Sequence, residues 1–503
     1  MVDRPDDRSR LLRDLLLVAV GAAMARVVGA ILIRALGFSV VSDDDFARVV
    51  LAQKQAATPH LDPTGTSWLP LPFWVVGAGL RVFGASLAAA RALSFAAGPL
   101  FGALLGAFAV GVGMRRSRAL AASAAAAAMP WSMQLGVATV PEVPAAVCAA
   151  IGCLALASSN PRARLLGGGA LLVSTLSRYD AWVVAAAFAL LTTVDALRGP
   201  KGSRGALLAA AALALLGPVG WTLYQWRAFG QPFRYLGLVR SYRRALGQGP
   251  PLRARLLGYP LGIVEEMREV LGALLVGAVS TRSGSRSSRS GDLAWGRPLA
   301  LAGLQLVVLV AGDVRDGAPT HHPERALLGP ALVVVFFAAD ALGGALAVVS
   351  PKRALGFGVA AALAYAGWVG VRLHRSLRWY DAAPRAREVA AGAALANAVP
   401  AGTKVLLDTR DFPGGGLDYG YYAVLAALGR PLDATVDRDQ DPRKPRRASA
   451  FASEAALSAR RMEIGARAAL AWGEVRAGVA VATGARVVAR DGGAEGWVVV
   501  VWP

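Results

Sequence analysis

Residues 15–45 read LLLVAVGAAMARVVGAILIRALGFSVVSDDD, an apolar run that ends in three consecutive aspartates. A hydrocarbon core about 30 Å thick needs about 20 apolar residues of helix to cross it. Leu15–Phe38 supplies them. The stretch is too long for a signal peptide, it holds Arg26 and Arg34, and no small-residue cleavage site of the usual form follows. It reads as a retained helix. Asp43-Asp44-Asp45 then lie at a membrane surface, where adjacent carboxylates repel one another and gain nothing from packing. Something positive, or something to be deprotonated, is the natural reason to place them there.

The rest of the chain repeats the apolar theme. Of 503 residues, 55% are hydrophobic and only 17% charged, with a mean hydropathy of +0.46. That excludes a soluble globular protein. Apolar runs recur at 12–37, 87–113, 118–135, 143–159, 163–177, 181–197, 205–226, 257–280, 297–312, 326–348 and 354–372. They predict an all-α polytopic membrane bundle of about 11 transmembrane helices in a cell inner (plasma) membrane.

The formal charge is +21, from 54 Lys and Arg against 33 Asp and Glu. Nucleic acid is the reflex partner for such a charge. Here the basic residues cluster in short loops instead: Arg4, Arg8, Arg10 and Arg13; Arg115, Arg116 and Arg118; Arg162 and Arg164; Arg198, Lys201 and Arg204; Arg282, Arg286 and Arg289; Lys352 and Arg353. This is the positive-inside pattern, and it places the N-terminus in the cytoplasm with no nucleic-acid partner. Segment 68–84, from Trp68-Leu-Pro-Leu-Pro-Phe-Trp74 to Phe83-Gly84, is also apolar enough to span. If it did, every later basic cluster would face outward. It reads as a re-entrant or interfacial helix of the outer side. Cys148 and Cys153 share one apolar run and read as small hydrophobes, not as a disulfide or metal pair.

The character changes near residue 373. Residues 1–375 form the membrane unit, with a first outer loop at 39–86. Residues 376–503 read as a small α/β extracytoplasmic domain. Strands are expected at Lys404–Asp408, Val479–Thr483 and Trp497–Val501, and a helix from Tyr419 to Leu428 that Gly429 ends. Asp433–Arg447 reads as a charged loop, and 281–296 as a flexible Ser/Arg/Gly-rich one.

Few residues could carry chemistry. The Asp43–Asp45 triplet is either a helix cap or a carboxylate site that takes a proton or holds a cation. Capping needs one acid, not three. Glu142, between Pro141 and Pro144, is an exposed loop acid or a second acidic site residue. Arg178 and Asp180 form a local ion pair, or Arg178 grips a phosphate bidentately. Arg91 snorkels or does the same. Thr320-His321-His322-Pro323-Glu324-Arg325 heads an apolar run. Adjacent histidines point apart, and HExxH spacing is absent. Arg325 is a third candidate for phosphate, with Trp68, Asp180, His321, His322 and Glu324 as further site candidates. A divalent cation (Mg or Mn), if used, would fall to Asp43, Asp45 and Glu142.

In these residues the chain resembles the GT-C superfamily of integral-membrane glycosyltransferases. It is most similar to family 39, the protein O-mannosyltransferases and the aminoarabinose transferases. The resemblance rests on the order of four short motifs: the acidic triplet; Trp68-Leu-Pro-Leu-Pro-Phe-Trp74 leading to Phe83-Gly84; Ala90-Arg-Ala-Leu-Ser94; and then Glu142 followed by Arg178. It implies a sugar donor linked to a polyprenyl phosphate, with inverting transfer on the outer face to a lipid, glycan or protein acceptor. It also implies a general base on Asp44, with Asp43 and Asp45 as rivals, a second acid at Glu142, and lipid-phosphate contacts from Arg91 and Arg178. The family usually shows one or two acids here, not three, and commonly a Lys where Arg178 stands. Its Pro-Pro pair is split as Pro70-Leu71-Pro72. The rival readings are a lipid-sugar flippase, which would place ionisable groups at mid-bilayer, and a polysaccharide polymerase or ligase, which usually carries a large outer loop in mid-chain.

Overall fold

In a computed structural model the described residues are all except 1–4, 39, 246, 248–250, 284–292, 316–322, 348, 378–384, 411–417, 439–440, 446 and 493–495. The first long helix, α1 (Pro5–Ala35), is followed by two short ones, α2 (Asp43–Ala57) and α3 (Leu71–Phe83), before the chain returns through α4 (Leu87–Gly111). The run at 118–135 is two helices, α5 (Arg116–Ala128) and α6 (Pro130–Val137), because Pro130 has no N–H to continue the ladder. Then come α7 (Glu142–Ala155), α8 (Pro161–Thr175), α9 (Ala181–Arg198) and α10 (Lys201–Phe229). A half-exposed helix α11 (Arg234–Ala245) leads to α12 (Leu252–Glu266) and α13 (Arg268–Ser283), which share the run at 257–280. The membrane unit closes with α14 (Gly296–Val314), α15 (Pro323–Leu346) and α16 (Pro351–Leu377).

All eleven expected runs are helical. Among the described residues seven helices, namely α1, α4, α9, α10, α14, α15 and α16, are long and apolar enough to cross a membrane by themselves. Segment 68–84 forms the 13-residue α3, roughly 20 Å long and short of the bilayer core. Among the long helices α15 is the most enclosed, whereas α16 is nearly bare of protein contact. Every residue of α7 except Pro144 is buried. These two enclosed helices each begin at a charged group, Glu142 on α7 and Glu324-Arg325 on α15.

The C-terminal part contains α17 (Ala386–Ala398), β1 (Val405–Leu407), α18 (Tyr421–Leu428), β2 (Ala434–Val436), α19 (Glu454–Ile464), β3 (Ala468–Trp472), α20 (Glu474–Ala482), β4 (Arg486–Arg490) and β5 (Trp497–Val501). The sheet order is β2-β1-β3-β5-β4. Strands β2, β1 and β3 are parallel, and β5 runs antiparallel to β3 and β4. The expected strands at 404–408 and 497–501 are present. Val479–Thr483 is not a strand: it closes α20, where Ala477 and Ala480 are buried at helical spacing. The expected charged loop at 433–447 opens with β2, a three-residue edge strand of the kind that limits stray pairing. Gly429 ends α18 as expected, with φ +77°, a conformation that favours glycine.

One apolar core joins this domain to the first loop. Phe46, Val49, Val50 and Ala52 of α2 pack with Ala391 and Leu395 of α17 and with Ala423, Val424 and Leu428 of α18. Gln53 donates from Nε2 to the carbonyls of Ala426 (2.8 Å) and Ala85 (3.0 Å).

Close helix approach depends on glycine at several points in the bundle, and at Gly168 the neighbour is backbone. A Cβ on Gly168 of α8 would lie 2.3 Å from the Ala210 carbonyl oxygen of α10, whereas one on Gly169 would meet nothing within 4 Å. Gly168→Ala should therefore destabilise the protein by roughly 1–3 kcal/mol through overpacking, and Gly169→Ala should be neutral or stabilising. Thermal unfolding in detergent distinguishes them; equal midpoints for the two variants would refute the contact.

Candidate active site

The three aspartates of α2 point to three different partners. Ser42 precedes the helix in extended backbone, and an acid in the first turn meets the positive end of the helix. Asp45 takes that role. Its buried carboxylate accepts from the Val41 and Ser42 amides (both 3.2 Å) and from the Thr139 amide (3.1 Å). The Thr139 hydroxyl returns a bond to the Asp45 carbonyl (2.9 Å). Asp45 thus caps α2 and ties it to the turn before α7. Burial pushes its carboxyl up to about 6, against the pull of Arg325 and the three amide donors.

Asp43 turns to the C-terminal domain, where Arg385 holds it bidentately at 2.8 Å on both oxygens. Asp44 turns to the bundle and accepts from Arg325 Nη1 at 3.0 Å. Its side chain is 43% exposed, against 28% for Asp43. Of the three, Asp44 alone combines an open carboxylate with a single ionic partner.

Glu142 begins α7 directly after Pro141 and is fully buried. A lone buried carboxylate is costly and must be met by positive charge. Glu142 Oε1 accepts from Arg178 Nη1 (2.7 Å) and from Arg325 Nε (2.9 Å), and Arg325 Nη2 stands in ion-pair contact with it at 2.7 Å. Arg178 also donates from Nε to Asp180 (2.9 Å). The result is a continuous chain, Asp44–Arg325–Glu142–Arg178–Asp180. Among the described residues Glu142 Oε2 has no hydrogen-bond partner. The members of the chain other than Asp44 line a small pocket together with Ser174 and Gln305.

Two further groups flank the chain. Arg48 lies one turn beyond Asp44 on α2, with its guanidinium 4.4 Å from the centre of the Trp68 ring, in the field of Glu142, Asp44, Arg325 and Arg178. Formal charges then balance: Asp44, Glu142 and Asp180 against Arg48, Arg178 and Arg325. Tyr179 stacks on Tyr235 of α11, ring centres 4.0 Å apart, which anchors the Arg178–Asp180 turn.

The candidates thus divide. Asp44, Glu142, Arg178, Asp180 and Arg325 come together, with Trp68 beside them under Arg48. Trp68 also stacks on Phe73. Glu324 is buried at the head of α15. Arg91 stands apart from the ion chain, 5.8 Å from the Phe46 ring centre. His321 and His322 lie outside the described residues. Arg26 is buried in α1 and donates to Ser132 (2.6 Å to the hydroxyl). Among the described residues no group of three or more His, Cys, Asp or Glu side chains could hold a metal ion. Asp43, Asp45 and Glu142 do not converge as a ligand set: each faces guanidinium or amide donors. Sequence reading missed Arg48, Thr139 and Arg385. Helical spacing from Asp44 would have pointed to Arg48. Nothing local points to Arg385, 342 positions from Asp43.

No family model matches the chain, and no curated protein matches it in sequence. Its fold, however, is shared with solved structures. ArnT from Cupriavidus metallidurans in the apo state has a TM-score of 0.57 at 14% identity, covering 96% of this chain and 98% of that one. The same protein bound to undecaprenyl phosphate has a TM-score of 0.56 at 14% identity, covering 96% and 97%. The chain thus shares the fold of these structures, a polytopic helical bundle followed by a small C-terminal α/β domain.

Glu142→Gln would leave two buried guanidiniums facing a neutral amide. Removing one member of a buried ion pair costs about 3–5 kcal/mol. Asp180→Asn should cost less, because Arg178 keeps Glu142. The unfolding midpoints in detergent should rank wild type, Asp180→Asn, Glu142→Gln in falling order; the reverse order of the two variants would contradict the network.

Proposed function

We propose that the protein is a glycosyltransferase of the inner membrane that moves a sugar from a polyprenyl-phosphate donor to a hydroxyl-bearing or amine-bearing acceptor on the outer face, with inversion. One observation carries the reading: the half-exposed Asp44 carboxylate ends a chain of alternating charge whose other members line a small pocket, in a fold shared with a protein crystallised with undecaprenyl phosphate. Asp44 is the general base. It takes the acceptor proton as the acceptor attacks the anomeric carbon, and the carbon–oxygen bond to phosphate breaks on the opposite side. The electron pair leaves with the polyprenyl phosphate.

Arg325 and Arg178 supply fixed positive charge near that leaving group, and Glu142 holds both in place beforehand. Preorganised charge of this kind stabilises developing negative charge without rearrangement during the reaction. Arg91 adds a cation at the head of α4. Asp43 and Asp45 are spent on Arg385 and on the helix cap, which favours Asp44 as the base. With the basic clusters cytoplasmic, the N-terminus lies inside and the C-terminal domain outside.

Single Asn variants of Asp43, Asp44 and Asp45, assayed for sugar transfer from a polyprenyl-phosphate donor in vesicles, test this. Asp44→Asn should lose about 10²-fold to 10⁴-fold in rate, the usual weight of a general base. Full activity in that variant refutes the mechanism. A membrane-impermeant label that reaches residue 420 from the cytoplasmic side refutes the orientation.

A further inference from the structure

Asp43 and Arg385 are absent from the chemistry just described, yet they form the best-aligned ion pair between the first loop and the C-terminal domain. Arg385 immediately precedes α17. Its Nε and Nη2 hold both oxygens of Asp43 at 2.8 Å, while Nη1 reaches Asp418 at 2.9 Å and Glu388 at 3.2 Å. Arg410 bonds Glu388 as well, reaches Asp418 at 3.5 Å, and lies over the Trp472 ring at 4.3 Å. The guanidinium of Arg385 is therefore fixed by two carboxylates of its own domain before it meets α2. Such a fork has little freedom left to lose on gripping a third carboxylate.

The packing points the same way. Phe46, Val49 and Val50 bury one face of α2 in the core of the C-terminal domain. Asp45 pins the start of the helix to Thr139, and Asp44 meets Arg325 of the bundle. Helix α2 is thus wedged between two bodies, and the direction in which Asp44 points depends on both. Tyr242 of α11 and Tyr419, joined through their hydroxyls at 2.8 Å, make a further bond between the first 377 residues and the C-terminal domain.

We infer that Asp43 and Arg385 are positioning residues: the C-terminal domain acts through this ion pair to set the first turn of α2 and so to aim Asp44 at the acceptor. The inference rests on Asp44 being the base. It makes the C-terminal domain part of the catalytic apparatus, and it gives Asp43, the first acid of the triplet, a role that is neither base nor cap.

The experiment uses the full chain in vesicles, with Asp43→Asn, Arg385→Gln, the double variant and Arg385→Lys. Misplacement of a catalytic group by about 1 Å can cost about 10²-fold in rate, so each single variant should lower kcat by about ten- to a hundred-fold. KM for the lipid-linked donor should stay within about twofold, because misplacing the base leaves donor binding untouched. Because the two residues act as one unit, the double variant should lose no more than the worse single. Arg385→Lys should recover part of the rate. Gly420→Ala is an independent probe, since a Cβ there would lie 2.5 Å from Arg385 Nη1 and would shift the guanidinium without removing charge.

Hydrogen exchange provides a readout that needs no activity: Asp43→Asn and Arg385→Gln should speed exchange at the first turns of α2, and Asp44→Asn should not. Losses that multiply in the double variant overturn the proposal. So do wild-type rates in both single variants. If the wild type itself transfers no sugar, the functional reading fails, and the exchange data alone then decide whether the pair holds α2.

Discussion

A carboxylate taken out of water must be met by positive charge, and Glu142 is met by two guanidiniums, both at its Oε1. Most of the site follows from that constraint. Arg325 comes from the head of α15, the most enclosed long helix, and Arg178 from the turn between α8 and α9. Neither could lie where it does without the Glu142 charge, and the Glu142 charge could not be buried without them. The pairing draws α7, α15 and the Arg178–Asp180 turn to a single point, and Asp44 of α2 joins it through the remaining face of Arg325. The spare acceptor capacity of Glu142 Oε2 faces no donor among the described residues.

Helix α2 links this point to the rest of the molecule. It is short and amphipathic, with polar and apolar faces that serve different bodies. Its first turn divides three identical residues among a cap, a bond to the bundle and a bond to the C-terminal domain. Identical side chains acquire distinct roles because successive positions on a helix point about 100° apart. The triplet is thus not a cluster of equivalent acids but three separate attachments, of which one stays open to an incoming group.

The helical runs were legible because hydrophobicity over about 20 residues is a strong signal and because a bilayer leaves the backbone few alternatives. The break at Pro130 was just as local, though the run at 118–135 was read as continuous. The C-terminal domain was harder. Its strands are only three to five residues long, and a run such as Val479–Thr483 has the composition of either a strand or a short buried helix. Burial at Ala477 and Ala480 decided for helix, and burial is a property of neighbours that a short window does not contain.

The sequence by itself determined that the chain crosses a membrane many times, that a small mixed domain follows, and that acids and arginines gather at particular turns. Those features depend on periodicity and composition, which act over neighbouring residues. Only the tertiary structure decided which of the gathered charges touch. Arg325 reaches Asp44 across 281 positions and Arg385 reaches Asp43 across 342. A guanidinium carries no local mark of its partner, because the energy of an ion pair depends on separation in space and on the water removed around it, and both are set by packing of the whole chain.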